Sequence, residues 1–318
     1  MSIRRLGVAL VLYIAQSSCF AIEHEIAITI DDLPFVGSGT NTPSSLKRTQ
    51  DRFMAIVNVL VAYKIPATGF AIGGAVAKNE WDLLETFRNQ GFNLGNHTYT
   101  HWSLNSTNTD KYIADIDRAD KVLTRVMTEP KYFRFPYLAE GSGAKKQKVR
   151  DYLDAHKYII APVTIDSKDY EFNARLYKIA FRNRERSITQ FKKGYLAYIW
   201  KQTLRAERNT SEGRPAKQIL LIHANLLNSM CLEDIIQMYQ KNGYKFISLA
   251  EALEGNTAPA ITNESSIPTI PNQNGINQPH ETIINKNTSS FLDTYLEWVK
   301  IDVVSIASNI LYFSYGRP

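Results

Sequence analysis

The chain has 318 residues, 44% hydrophobic and 21% charged, with a formal net charge of +6. This composition excludes a disordered or fibrous chain and is enough for one large hydrophobic core plus an appendage. Only Cys19 and Cys231 are present, which excludes a disulfide-stapled scaffold if the N-terminal segment carrying Cys19 is removed.

That segment reads as an export signal. Arg4 and Arg5 precede an uncharged run from Leu6 to Ile14, too short to span a bilayer, and Ala21 offers a cleavage point. Residues 1–21 are therefore expected to be a signal peptide and the mature chain to be periplasmic or secreted. Lipid anchoring at Cys19 is the weaker alternative, because Gln16 stands where a lipobox would want Leu. Loss of Arg4 and Arg5 leaves a net charge of about +4, and the excess basic residues crowd between Lys178 and Lys217.

In chain order, the apolar run Glu25–Ile30 predicts a strand buried on both faces, ending at Asp31-Asp32. Arg48–Tyr63 has helical spacing of Phe53, Ile56, Val57 and Leu60. Pro66 ends it and Ala67–Ile72 reads as a second strand. A helix over Asn79–Gln90 stops at Gly91, and a short strand with Phe92 and Leu94 leads to His97. Asp110–Val126 is a helix, Tyr132–Phe135 a strand, Lys146–Ala155 a helix and Tyr158–Ile165 a strand. A basic, helical insertion at about 171–217 follows, its charges suited to a solvated helix face or an anionic surface. Then come a strand at Gln218–Ile222, a helix at Leu232–Lys241 and a strand at Lys245–Ile247. Beyond Glu254 the composition turns to Asn, Thr, Ser and Pro, which predicts a flexible linker over 255–290. Residues 291–318 recover helical periodicity, predicting an amphipathic helix that would dock back, pair with another chain or lie on a membrane surface.

Alternating strands and helices predict parallel strands covered by helices, as an open sheet or a barrel. The reactive residues follow a pattern. Asp31 and Asp32, His97, Arg134, Asp166 and His223 each fall at or just past the C-terminal end of a predicted strand. In a βα barrel those ends share one face, where such barrels hold their active sites. His97 and His101 are four positions apart, and a helical turn after the strand would aim both imidazoles at one ion. Two imidazoles do not complete a zinc site, so a further ligand must come from elsewhere. No nucleic-acid-binding module is present.

Thr29-Ile30-Asp31-Asp32, His97-x3-His101, Arg134-Phe135-Pro136-Tyr137, Asp166-x2-Asp169-Tyr170 and Leu221-Ile222-His223 together resemble the five ordered motifs of the polysaccharide deacetylase family, the NodB-like carbohydrate esterases of family 4. The resemblance covers roughly Glu25 to Glu251. It implies a distorted (β/α) barrel over residues 22–254 and a metal-dependent removal of acetyl groups from an N-acetylated glycan, such as a chitin oligomer, peptidoglycan or a surface polysaccharide. It further implies that Asp32, His97 and His101 hold a divalent metal, zinc first, which polarises the carbonyl and acidifies water. Asp31 would then be the general base, kept in place by Arg134, and His223 the general acid, with Asp169 as its carboxylate partner. Pro136, Tyr137, Tyr170 and Leu221 would line the substrate site, the Tyr137 N–H helping to hold the oxyanion and Leu221 and Tyr170 receiving the acetyl methyl.

Adjacent strand residues point to opposite sides, so Asp31 and Asp32 can share one site only where the backbone leaves strand geometry. The sequence departs from the family at Leu33, where Gly is usual, at Tyr170, where Trp is common, and at the insertion. Two alternatives stand beside the deacetylase reading. One is an amide hydrolase of the same scaffold acting on a non-sugar C–N bond; the other is a non-catalytic glycan-binding or envelope protein.

Overall fold

The computed structural model describes residues 24–35, 43–78, 80–208, 216–255 and 260–263. The expected signal peptide with Cys19, most of the 255–290 segment and the 291–318 helix lie outside the described residues.

The chain alternates β1 (His24–Leu33), α1 (Pro43–Ala62), β2 (Ala67–Ala71), α2 (Trp81–Asn89), β3 (Asn93–Asn96), α3 (Thr109–Leu123), β4 (Lys131–Phe133), α4 (Gly143–Ala155) and β5 (Tyr158–Ile160). It continues through β6 (Ile165–Asp166), α5 (Asp169–Lys178), α6 (Phe181–Arg208), β7 (Gln218–His223), α7 (Asn228–Lys241), β8 (Tyr244–Phe246) and α8 (Leu249–Leu253). The strands form one sheet in the order β5-β4-β3-β2-β1-β7-β6, with β8 also on β1, and every pairing is parallel. This is the expected distorted barrel, left open along a seam: among the described residues no ladder joins β5 to β6.

β1 lies at the centre because its Ile26, Ile28 and Ile30 are buried without exception. Burying each such side chain contributes about 1.5–3 kcal/mol. On α1, Phe53, Ile56, Val57 and Leu60 face the core, as their spacing predicts. Strand β3 approaches β4 closely at Gly95, where a Cβ would stand 2.6 Å from the Tyr132 carbonyl. That approach sets the distance between the His97 and Arg134 segments.

The single strand predicted over Tyr158–Ile165 is two short strands. Pro162 interrupts it, since proline cannot donate to a ladder. α8 begins with a capping box between Ser248 and Glu251 that the sequence reading passed over. The basic insertion contains α5 and α6, and α6 is part of the core: Tyr195, Ile199, Thr203 and Ala206 are buried while Arg182, Arg186, Lys193, Lys201, Arg205 and Arg208 are exposed. Among the described residues no helix is long and apolar enough to cross a membrane.

Candidate metal and catalytic site

At the C-terminal end of β1 the backbone leaves strand geometry. Asp32 has φ 61°, and the β1–β2 register shifts between Ile30 and Leu33. This bulge lets consecutive carboxylates serve one site. Leu33 returns to the ladder opposite Ala71 and is fully buried, its Cδ1 where a Cβ on residue 69 would come within 2.2 Å. Gly69 thus makes the room that lets a leucine follow Asp32.

His97 and His101 do not lie on the helical turn that their four-residue spacing would suit. They sit on a loop with Thr98 and His101 at positive φ. Buried Asp115 of α3 shapes that loop, its Oδ2 accepting from the Tyr99 and Thr100 amides and from the Thr100 hydroxyl. Thr98 Oγ1 accepts from the His101 N–H, and Asn96 Oδ1 from the Thr98 N–H. The sequence reading missed Asp115. Its signal was a carboxylate on the apolar stripe of α3, among Tyr112, Ile116 and Ala119.

The loop aims both imidazoles at Asp32. His101 Nε2 is 3.2 Å from Asp32 Oδ1, His97 Nε2 is 3.4 Å from the same oxygen, and the two Nε2 atoms are 3.2 Å apart. His97 Nδ1 lies 2.8 Å from the Arg134 carbonyl, which can only accept, so the ring proton is on Nδ1 and the Nε2 lone pair faces Asp32. Asp32 Oδ1 is buried and receives no hydrogen bond. Bare lone pairs this close repel unless a cation lies between them. A tetrahedral ion with ligands at about 2.0–2.1 Å would set ligand–ligand edges of about 3.3–3.4 Å, so the donor set fits a divalent metal. These three residues are the group with metal-holding geometry among the described residues.

Asp31 is buried beside this group, its Oδ2 3.7 Å from His97 Nε2 and 3.4 Å from Arg134 Nη1. Arg134 is 1% exposed. Its Nη2 donates to Thr29 Oγ1 and to the Pro162 carbonyl, and its guanidinium lies over the Phe70 ring. Burial lowers the Arg134 guanidinium, with Asp31 acting against that.

On the opposite side, His223 Nδ1 is 2.6 Å from Asp169 Oδ1, and its Nε2 faces Asp32 Oδ2 at 4.0 Å. Asp169 is fully buried. Its Oδ2 also accepts from the His223 main-chain N–H and from the Asn225 and Asn228 side chains. Burial pushes His223 down, but Asp169, then Asp32 and Asp31, outweigh it and raise the imidazole to about 10. Asn225 and Asn228 were also missed, although they follow His223 directly as His-Ala-Asn-Leu-Leu-Asn.

Pro136 opens a short 3-10 turn in which Tyr137 has φ 58° and Leu138 φ 54°. The Tyr137 ring is half exposed and packs on His101 at 4.6 Å. Tyr170 stands edge-on to His223 at 6.1 Å, and its hydroxyl accepts from Lys168. Leu221 is buried in a small apolar cluster with Leu138 and Val163. Asp166, the remaining ionisable strand-end residue, turns to Lys168, accepting at Oδ2 from its ammonium and at Oδ1 from its main-chain N–H.

Comparison with known proteins bears on the family and the fold. Residues 21–158 match the family model described as polysaccharide deacetylase. A peptidoglycan-N-acetylglucosamine deacetylase of Bacillus cereus is 26% identical over 148 residues, covering 46% of this chain and 46% of that protein. The chain spans about half the length of the curated relatives it matches. Among solved structures, the chitin deacetylase of Colletotrichum lindemuthianum aligns with a TM-score of 0.50 at 22% identity, covering 74% of this chain and 88% of that one. A pseudoenzyme of carbohydrate esterase family 4 from Bacillus anthracis aligns with a TM-score of 0.50 at 15% identity, covering 73% of this chain and 66% of that one. These structural likenesses establish the fold.

Proposed function

Since the chain belongs to the polysaccharide deacetylase family, we propose that it is an exported, metal-dependent deacetylase that hydrolyses the acetamido group of an N-acetylated glycan of the chitin or peptidoglycan kind. The observation that carries this reading is the convergence of Asp32, His97 and His101 at 3.2–3.4 Å around one point, beside Asp31 and His223. A fold shared with a pseudoenzyme is no warrant for turnover; the filled set of ionisable groups is.

Asp32, His97 and His101 would hold the ion, zinc by its preference for imidazole and carboxylate. When bound, it would act as a Lewis acid on the amide carbonyl and lower the pKa of water. Asp31 takes the proton from the attacking water, oriented for this by Arg134. The Tyr137 N–H donates to the oxyanion that develops on the carbonyl oxygen. His223, kept protonated by Asp169, gives its Nε2 proton to the leaving amine. Leu221 and Tyr170 receive the acetyl methyl. The products are acetate and a free amino sugar.

The test is acetate release by purified, zinc-loaded protein from a panel of N-acetylated oligosaccharides and peptidoglycan fragments. Release from at least one glycan is expected. Release only from non-sugar amides would move the activity to another substrate class, and no release from any would leave a glycan-binding role.

A further inference from the structure

Residues 260–263 fall where composition predicts a flexible linker, yet they make a specific set of bonds at the rim of the site. The Ile261 N–H donates to the Val163 carbonyl at 2.7 Å, and the Asn263 N–H donates to the Leu138 carbonyl at 3.0 Å. The Asn263 side-chain amide donates to the Tyr137 carbonyl. The Asn263 carbonyl in turn accepts from the Asn105 side chain at 2.6 Å, whose Oδ1 accepts from the Gly141 N–H at 3.1 Å. Val163 lies in the connection between β5 and β6, so the segment runs from the chain that bridges the barrel's open seam to the 3-10 turn beside His101.

The bonded positions matter because of what they adjoin. Tyr137 and Leu138 are consecutive non-glycine residues in left-handed conformation, each disfavoured by steric contact of Cβ with the backbone. Such a turn persists only if its surroundings hold it. The peptides that follow Tyr137 and Leu138 are fixed at both ends: their carbonyls accept from Asn263, and their N–H groups donate to the Phe135 and Pro136 carbonyls at 3.1 and 3.0 Å. Leu138 and Val163, both bonded by the segment through their carbonyls, are also the residues that pack with Leu221.

We propose that residues 260–263 form a strap that completes the substrate site, and that Asn263 is a positioning residue for the Tyr137 turn. This rests on the deacetylase reading, in which the Tyr137 N–H meets the oxyanion and Leu221 meets the acetyl methyl. Asn263 touches neither substrate nor metal. It fixes the peptide plane next to the oxyanion donor, and with Ile261 it holds the wall of the acetyl pocket. The functional unit therefore extends past Glu254, where the change of composition would end it.

Asn263→Asp in the full chain tests this, since it keeps the main-chain bonds and size but replaces the amide donor with an acceptor facing the Tyr137 carbonyl. Asn105→Ala releases the strap from its other side. Hydrogen exchange of the 136–141 peptide is expected to quicken in both variants, with zinc content unchanged. In Asn263→Asp, kcat for acetate release should fall about 10- to 100-fold, the scale of a small misplacement of a catalytic group, while KM moves less. Unchanged exchange would overturn the strap. Faster exchange with unchanged kcat, or a lowered Tm as the sole effect, would reduce it to a structural brace and overturn the positioning role. A wild-type protein that releases no acetate would count against the deacetylase reading, while the exchange comparison would still decide whether the strap holds the turn.

Discussion

Arg134 and His97 are joined main chain to side chain: the Arg134 carbonyl accepts from His97 Nδ1 at 2.8 Å while the same residue's guanidinium reaches Asp31 Oδ2 at 3.4 Å. One residue thus fixes the tautomer of an imidazole in the proposed metal set and the orientation of the neighbouring carboxylate. The two tasks can be separated. Arg134→Lys keeps the carbonyl and loses the planar fork, so zinc content should be kept while kcat falls about tenfold or more. Leaving Asp31 and Thr29 poorly paired should cost about 1–3 kcal/mol of stability, read by denaturant unfolding. Loss of zinc together with activity would mean that the side chain, and not the carbonyl, holds His97 in place.

Asp31→Asn removes the proposed base without touching the Asp32, His97 and His101 group. The variant should bind zinc stoichiometrically and lose about 10²–10⁴ in kcat. Turnover within a few fold of wild type would remove Asp31 from that role.

As the proposed acid, His223 is expected to set the pH behaviour. Its imidazole is raised to about 10, burial being outweighed by Asp169, Asp32 and Asp31. A raised histidine contributes stability that is complete below its ordinary value near 6.5 and is lost as pH rises through the folded value. The acid should therefore stay protonated across neutral pH and fail on the alkaline limb. A dication held by Asp32, His97 and His101 would offset the charge of Asp32 and leave Asp169 as the main support. Asp169→Asn should move the alkaline limb of kcat toward neutral pH, measured from pH 6 to 11, and destabilise the protein by about 3–5 kcal/mol because it breaks a buried charge network. An unmoved limb would assign the acid step elsewhere.

The insertion helix α6 separates into two faces with different expected phenotypes. Tyr195 is fully buried and donates to Asn228 Oδ1 at 2.9 Å, so Tyr195→Ala should lower stability by about 3–5 kcal/mol. Glu substitutions at exposed Arg182, Arg186 and Lys201 should leave acetate release from a small soluble oligosaccharide within about twofold, since surface charges away from such features cost little. A large loss on the small substrate would place the basic face at the site.

The sequence was informative where periodicity and chemistry coincide. Alternating strands and helices marked the parallel barrel, and ionisable residues at successive strand ends marked the face where the candidate site lies. The need for Asp32 to leave strand geometry followed from period-two alternation, and its φ of 61° meets it. What the sequence left out is long-range and local at once. Asp115, Asn225 and Asn228 carry no motif; they matter because folding brings them under a loop or around a carboxylate. The His97–His101 spacing suits a helix, but the loop is built by side chains from α3 that spacing does not encode. Residues 260–263 were masked by composition, since Asn and Thr read as linker until their backbone partners are known.

The central claim is that Asp32, His97 and His101 hold one divalent ion. Anomalous diffraction at the zinc edge, from crystals grown with stoichiometric zinc, tests it most directly. The account predicts a single strong peak about 2.0–2.2 Å from His97 Nε2, His101 Nε2 and an Asp32 carboxylate oxygen. A peak elsewhere in the molecule, or none between these three side chains, would contradict it.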